Sequence, residues 1–210
     1  QNLLWRRVDG VITLNLPMTD EELALLDRLA LPAVAIGTPM PGHPCVRIDD
    51  ADAMRQATEH LLSQGHRRLP YIGAVPGNVA HVLTPQGRRR AFEETLAAHG
   101  VPLREEWVLN CDWTADAAAE HTSALLTCFS AAERPTAIVA ASDEMAFGAM
   151  AAAHRLGLHV PDDPSVVGIA DPPLSYVLGP PTVRQAVEAP RQVAAALLLG
   201  ALLDDPPLAP

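Results

Sequence analysis

Residues 137–171 read AIVAASDEMAFGAMAAAHRLGLHVPDDPSVVGIAD. An apolar run, 137–141, stops at Ser142 and Asp143. A stretch with helical spacing follows and closes at Gly157. A short loop carrying Pro161 and Pro164 leads to a second apolar run, 166–169, and then to Ala170 and Asp171. Short continuous apolar runs bounded by turn residues read as strands buried on both faces, and the segment between them reads as a helix. The unit is strand–helix–strand, with polar residues just past both strand ends. In open α/β sheets ligands bind in the crevice outside those carboxyl ends. One segment therefore points to a fold class and to the edge where function resides.

The same alternation extends in both directions. Thr19-Asp20-Glu21-Glu22 has the form of a capping box, opening a helix with Leu23, Leu26 and Leu29 on one face. Residues 34–36 read as a buried strand. Asp49 or Asp50 starts a helix with Met54, Ala57, Leu61 and Leu62 inward, ending at Gly65. Residues 69–75 read as a strand. Pro85 marks the region of a helix start, with Phe92 and Leu96 buried and Gly100 at the end. Residues 107–110 read as a strand and 115–129 as a helix. Three helices ending on glycine suit the left-handed position just past a helix. The pattern predicts an α/β fold with a parallel, doubly wound sheet and right-handed crossovers.

Composition narrows the function. At 210 residues and 49% hydrophobic content, the chain can bury a sizeable core. It has no run of about 18 apolar residues, so no membrane span is expected. The first residues, QNLLWRRVDGVI, lack the layout of a secretory signal. Cys45, Cys111 and Cys128 show no metal or redox spacing, which favours a reducing cytoplasm. The formal charge is −10, and all 15 cationic residues are arginine. Without lysine there is no Walker-type phosphate lysine and no Schiff base. The acidic balance also argues against nucleic-acid binding by this segment alone. No GxSxG, GxGxxG, CxxC or HExxH occurs, so no catalytic residue, metal site or cofactor is expected. Asp49, Asp50 and Asp52 resemble a cation cluster but suit a helix N-terminus better. His66, after a helix-ending glycine, reads as structural.

ASDEMAFGAM and VPDDPSVVGIAD resemble the effector-binding domain of LacI/GalR-type transcriptional regulators. VDGVI at 8–12, LPAVAIG at 31–37, HLLSQGHRRLPYIG at 60–73, RRRAFEETLAAHG at 88–100, CDWTADAA at 111–118 and PPTVRQ at 180–185 agree in order and spacing. The resemblance implies a two-lobed, periplasmic-binding-protein-like fold with a parallel doubly wound sheet in each lobe. On that template residues 1–47 and 186–210 form the first lobe and 48–185 the second. The chain returns near 182–186, and a helix over 189–203 packs on the first lobe. The first lobe is expected to be incomplete, with two strands, a helix and a DNA-binding helix-turn-helix upstream and a final strand downstream. The implied partners are a small-molecule effector (a sugar or related polar metabolite) in the inter-lobe cleft, operator DNA through the missing N-terminal domain, and a second copy of the chain.

The resemblance also nominates site residues. Arg88, four residues before Phe92, matches an arginine that reaches into the cleft; alternatively it is a solvated cation beside Arg89 and Arg90. Its fixed donor fork suits hydroxyls or a carboxylate. Trp113 reads either as an aromatic lining the cleft or as packing on the next helix. Ser142 is an N-cap, a ligand contact, or both. Sugar-binding relatives place Asp where this chain has Ala170, and often where it has Gly37. Two lost acceptors count against a simple sugar. Asp171 either substitutes for the first or is a turn residue. The alternative from another class is a periplasmic-type solute-binding protein, and a third is a paralogue that has lost its ligand.

Overall fold

The computed structural model describes residues 8–74, 84–185 and 188–203. They fall into two compact units: 8–48 with Thr84 and 188–203, and 49–74 with 85–185.

The first unit is a three-stranded parallel sheet in the order β1 (Val11–Leu14), β2 (Ala33–Ile36), β3 (Cys45–Val46). Helix α1 (Asp20–Leu29) begins at the expected capping box: Thr19 Oγ1 accepts from the Glu22 amide, and Glu22 takes the Thr19 amide in return. Such a cap contributes about 1 kcal/mol. The inward face differs from expectation at Leu29, which is exposed. The helix ends one residue later on Ala30 in the left-handed region (φ 48°), and the Leu31 amide bonds the Leu26 carbonyl. That six-to-one closure turns Leu31 into the apolar cluster with Leu26, so it fills the place periodicity assigned to Leu29. Helix α7 (Glu188–Leu203) packs Ala194, Leu197 and Leu198 on β2. The return near 182–186 includes Ala186, which lies outside the described residues, as do 1–7 and 204–210.

The second unit is a five-stranded, wholly parallel sheet. Its strands are β4 (Tyr71–Ala74), β5 (Val108–Cys111), β6 (Ala137–Ala140), β7 (Ser165–Ala170) and β8 (Thr182–Arg184), in spatial order β5-β4-β6-β7-β8. Its helices are α2 (Asp50–Ser63), α3 (Thr84–Ala98), α4 (Ala115–Cys128), α5 (Asp143–Arg155) and the short α6 (Pro173–Leu178). Every residue of β6 is fully buried, as a strand covered on both faces requires. Gly65, Gly100 and Gly157 all have positive φ after their helices. The strand read over 69–75 is shorter at its start, and Val75 lies outside the described residues. The strand read from 107 begins at Val108. Trp107 instead ends a single 3-10 turn, where its buried ring meets Phe129 edge-on at 6.0 Å and Arg104 at 4.6 Å. A packing anchor, not a ladder position, decides its conformation.

Helices α4 and α5 lie side by side, and Gly148 is the reason they come so close. A Cβ there would fall 2.1 Å from the Ala115 carbonyl oxygen, which is backbone and cannot step aside. Gly87 in α3 has open space around it. Gly148→Ala is expected to lower unfolding free energy by about 1–3 kcal/mol through overpacking. Gly87→Ala is expected to raise it by about 0.5–1 kcal/mol, the helix-propensity difference. Urea denaturation of both variants checks the signs.

Candidate functional site

Strand order places the site. From β4 the chain steps one way to β5, then returns past β4 to β6, β7 and β8. The neighbours β4 and β6 therefore send their following segments in opposite directions, which opens a crevice at their carboxyl ends.

Arg88 occupies that point. It lies in the first turns of α3, and its side chain is only 6% exposed. Nη1 donates to the carbonyl of Ala141, the residue just past β6. Nε and Nη2 both donate to Asp50 Oδ1, at 2.9 and 2.6 Å, and Nη2 also donates to Gln185 Oε1 at 3.1 Å. Gln185 Nε2 closes the ring by donating to the same Asp50 oxygen at 3.1 Å. Four of the five guanidinium N–H groups are thus committed, and one on Nη1 has no partner among the described residues. The fork is held rigid by these four bonds. Its Cζ lies 5.8 Å from the centroid of the half-buried Trp113 ring, at the outer limit of cation–π reach. Arg88 is therefore not a solvated turn residue like exposed Arg90.

Ser142 is adjacent to the carbonyl that Arg88 holds. It is buried and caps α5, with Oγ accepting from the Met145 amide at 3.3 Å. Asp171 is drawn into a different cluster. Its amide donates to Asp143 Oδ2 at 2.8 Å, and its carboxylate accepts from Arg184 Nε. The structure therefore joins Arg88 and Trp113 around one point and puts Ser142 beside it, while Asp171 is engaged with Arg184.

Three residues that sequence reasoning passed over complete the picture. Asp50 reads from the sequence as helix N-terminal filling, yet it is the counter-ion of Arg88. Asp49 is the actual cap, accepting from the Asp52 amide at 2.8 Å. Gln185 follows β8 and bridges Arg88 to Asp50. Asp143 has a local explanation in the α5 dipole; it is in fact buried, with its carboxylate turned onto side chains beyond β7. The only local signal was a surplus of acids at two helix starts, more than capping needs.

Nothing at this edge, among the described residues, is primed for covalent chemistry. Burial pushes the Cys111 thiol up, and Asp112 adds to the shift, so it stays a poor nucleophile. Burial also pushes the Tyr71 phenol well above its usual range, while its ring packs on Phe92 with centroids 5.2 Å apart. Among the described residues no group of three His, Cys, Asp or Glu is placed to hold a metal ion. Arrangement and chemistry fit reversible recognition of a polar molecule with a flat or apolar face.

Residues 58–210 match the family model of the periplasmic binding protein-like domain. The match covers most of the chain, and the chain belongs to this family. Within it, the chain belongs with the LacI-type transcriptional regulators. It is 34% identical over 203 residues to the HTH-type transcriptional repressor PurR of Yersinia pestis (strain Pestoides F), covering 94% of this chain and 58% of that one. A LacI family transcriptional regulator from Mycobacterium smegmatis superimposes with a TM-score of 0.77 at 35% identity, over 93% of this chain and 71% of that one. A LacI family regulator from Lactobacillus casei, solved with bound sucrose, gives 0.81 at 27% identity, over 98% and 74%. The chain spans a little over half the length of the curated relatives it matches.

Removing one member of a largely buried ion pair takes away the charge opposite the other. Arg88→Ala is expected to cost about 3 kcal/mol, the lower end for such pairs because Asp50 keeps 18% side-chain exposure. Arg88→Lys is expected to recover less than half, since one ammonium cannot span Asp50, Ala141 and Gln185 together. Guanidinium unfolding of the two variants tests this. An Arg88→Lys variant as stable as the parent protein would show that charge alone, not the fork, matters.

Proposed function

We propose that the chain is the effector-sensing core of a DNA-binding LacI-type regulator, with residues 1–47 and 186–210 as its first lobe and 48–185 as its second. The observation that carries this reading is the Arg88 constellation at the switch point: a rigid guanidinium with one donor unpartnered among the described residues, beside an indole face and a helix N-terminus. The effector is a small polar metabolite that accepts a hydrogen bond from Arg88 and stacks on Trp113. Sugars and related molecules fit that description, and relatives of this fold bind sucrose and glucose. Ser142 adds a hydroxyl at the α5 N-terminus, and Asp171 flanks the site from the β7 end.

The regulator works as a homodimer in the cytoplasm. Self-association is supported by α6, where Tyr176 is 94% exposed, Val177 74% and Leu174 50%, an apolar surface of a kind that marks interaction sites. A helix-turn-helix preceding the chain reads operator DNA, and two copies meet two half-sites about one helical turn apart. Effector changes operator affinity only as far as it binds one conformation of the protein better than the other.

Thermal melting of the full-length protein against monosaccharides, disaccharides, sugar phosphates and nucleobases tests the central part. A ligand at about 100 times its dissociation constant adds about 2.7 kcal/mol to folded-state stability. At least one class is expected to raise the midpoint, and Arg88→Ala and Trp113→Ala are each expected to abolish that rise, measured from the variant's own ligand-free midpoint. Silence across the panel, or a rise that survives both substitutions, contradicts the reading.

A further inference from the structure

Asp143 is among the most deeply buried charged groups in the second unit, 2% exposed, and the constellation around Arg88 does not use it. Its carboxylate has no ion-pair partner among the described residues. It is satisfied by donors that all come from one stretch. Asp171 N–H donates to Oδ2 at 2.8 Å. The Ser175 hydroxyl donates to Oδ2 at 2.9 Å. The Thr182 hydroxyl lies 2.7 Å from Oδ1 and 2.8 Å from Oδ2. Those three residues span the excursion between β7 and β8. Room for the carboxylate comes from Gly168, where a Cβ would sit 2.0 Å from Oδ1.

The excursion starts in a conformation that side-chain-bearing residues avoid. Ala170 has φ 146° and Asp171 has φ 60°. Such backbone persists only where the surroundings over-determine it. Here the Asp171 amide is pinned by Asp143, and the carboxylate of Asp171 is drawn to Arg184, the register partner of Ala170. Further along, Ser175 turns inward to Asp143, which leaves Leu174, Tyr176 and Val177 of α6 facing out. One buried oxygen pair thus fixes where the Asp171–Arg184 pair stands and which side of α6 is presented.

We infer that Asp143 is a positioning residue whose carboxylate holds the 170–182 excursion in a single conformation, and so sets both the β7 rim of the effector site and the apolar surface of α6. Its action on the effector rests on the function proposed above; its action on the excursion does not. An Asn can keep its oxygen on Asp171 N–H and Ser175 and turn its amide to the Thr182 hydroxyl, whereas Ala removes both oxygens and leaves Asp171 N–H without the carboxylate. The hydroxyls of Ser175 and Thr182 can reverse roles; a backbone amide cannot.

Hydrogen–deuterium exchange on the full chain decides the matter. Asp143→Ala and Thr182→Val are expected to speed exchange across 170–184 at least tenfold while β4 and β6 keep their protection. Thr182→Ser, which keeps the hydroxyl, is expected to behave as the parent protein. Whichever panel compound stabilises the parent protein is expected to bind Asp143→Ala at least fivefold more weakly. Unchanged exchange in 170–184, or equal acceleration throughout the unit, overturns the inference: Asp143 is then a helix cap or a general fold residue. A parent protein that binds no compound, combined with selective acceleration in 170–184, overturns the proposed function and leaves the positioning role standing.

Discussion

A guanidinium buried to 6% exposure at the end of a parallel sheet cannot stand alone, and the second unit is built to accompany it. Taking such a charge from water costs several kcal/mol after relaxation. Arg88 recovers that through Asp50 at the start of α2, the carbonyl of Ala141 after β6, and Gln185 after β8. Each partner comes from a different element, so the pair ties α2, α3, β6 and the end of β8 at one point. An apolar core residue would have filled the space more cheaply. What the arginine provides instead is a directional donor, held still, where the topology opens a crevice.

Two carboxylates at two helix starts divide the work. Asp50 neutralises Arg88 and keeps the crevice end of α2 in place. Asp143 faces the other way, onto the amide and hydroxyls of the excursion beyond β7. Asp171 has its amide held by Asp143 and its carboxylate engaged with Arg184. Among the described residues one Nη1 hydrogen of Arg88 has no partner, and it stands near the Trp113 ring and the capped start of α5. With the Cys111 thiol and Tyr71 phenol both held in their protonated forms by burial, neither is poised to react with a ligand.

The strand–helix–strand alternation was legible because it is local. Apolar runs at 137–141 and 166–169, helix-ending glycines and the Thr19 box each act within a few residues, and each stands close to where the sequence put it. Leu29 and Trp107 went astray for a related reason: a left-handed stop at Ala30 and an aromatic contact with Phe129 override spacing. Arg88 and Trp113 were nominated by resemblance. Their company was not legible. Asp50 lies 38 residues from Arg88, Ala141 lies 53 and Gln185 lies 97. An aspartate at a helix start has a sufficient local explanation, so nothing in the sequence demanded a distant partner for Asp50 or Asp143.

The measurement that bears most directly on this account is fluorescence of a protein in which Trp5 and Trp107 are replaced by Phe, leaving Trp113 as the only indole of the chain. Titration with a compound that raises the melting midpoint is expected to shift Trp113 emission saturably, with the same apparent affinity as the midpoint shift, and Asp50→Asn is expected to weaken both together. An emission that stays unchanged while the compound stabilises the protein would place the ligand elsewhere and remove Arg88 and Trp113 from the site.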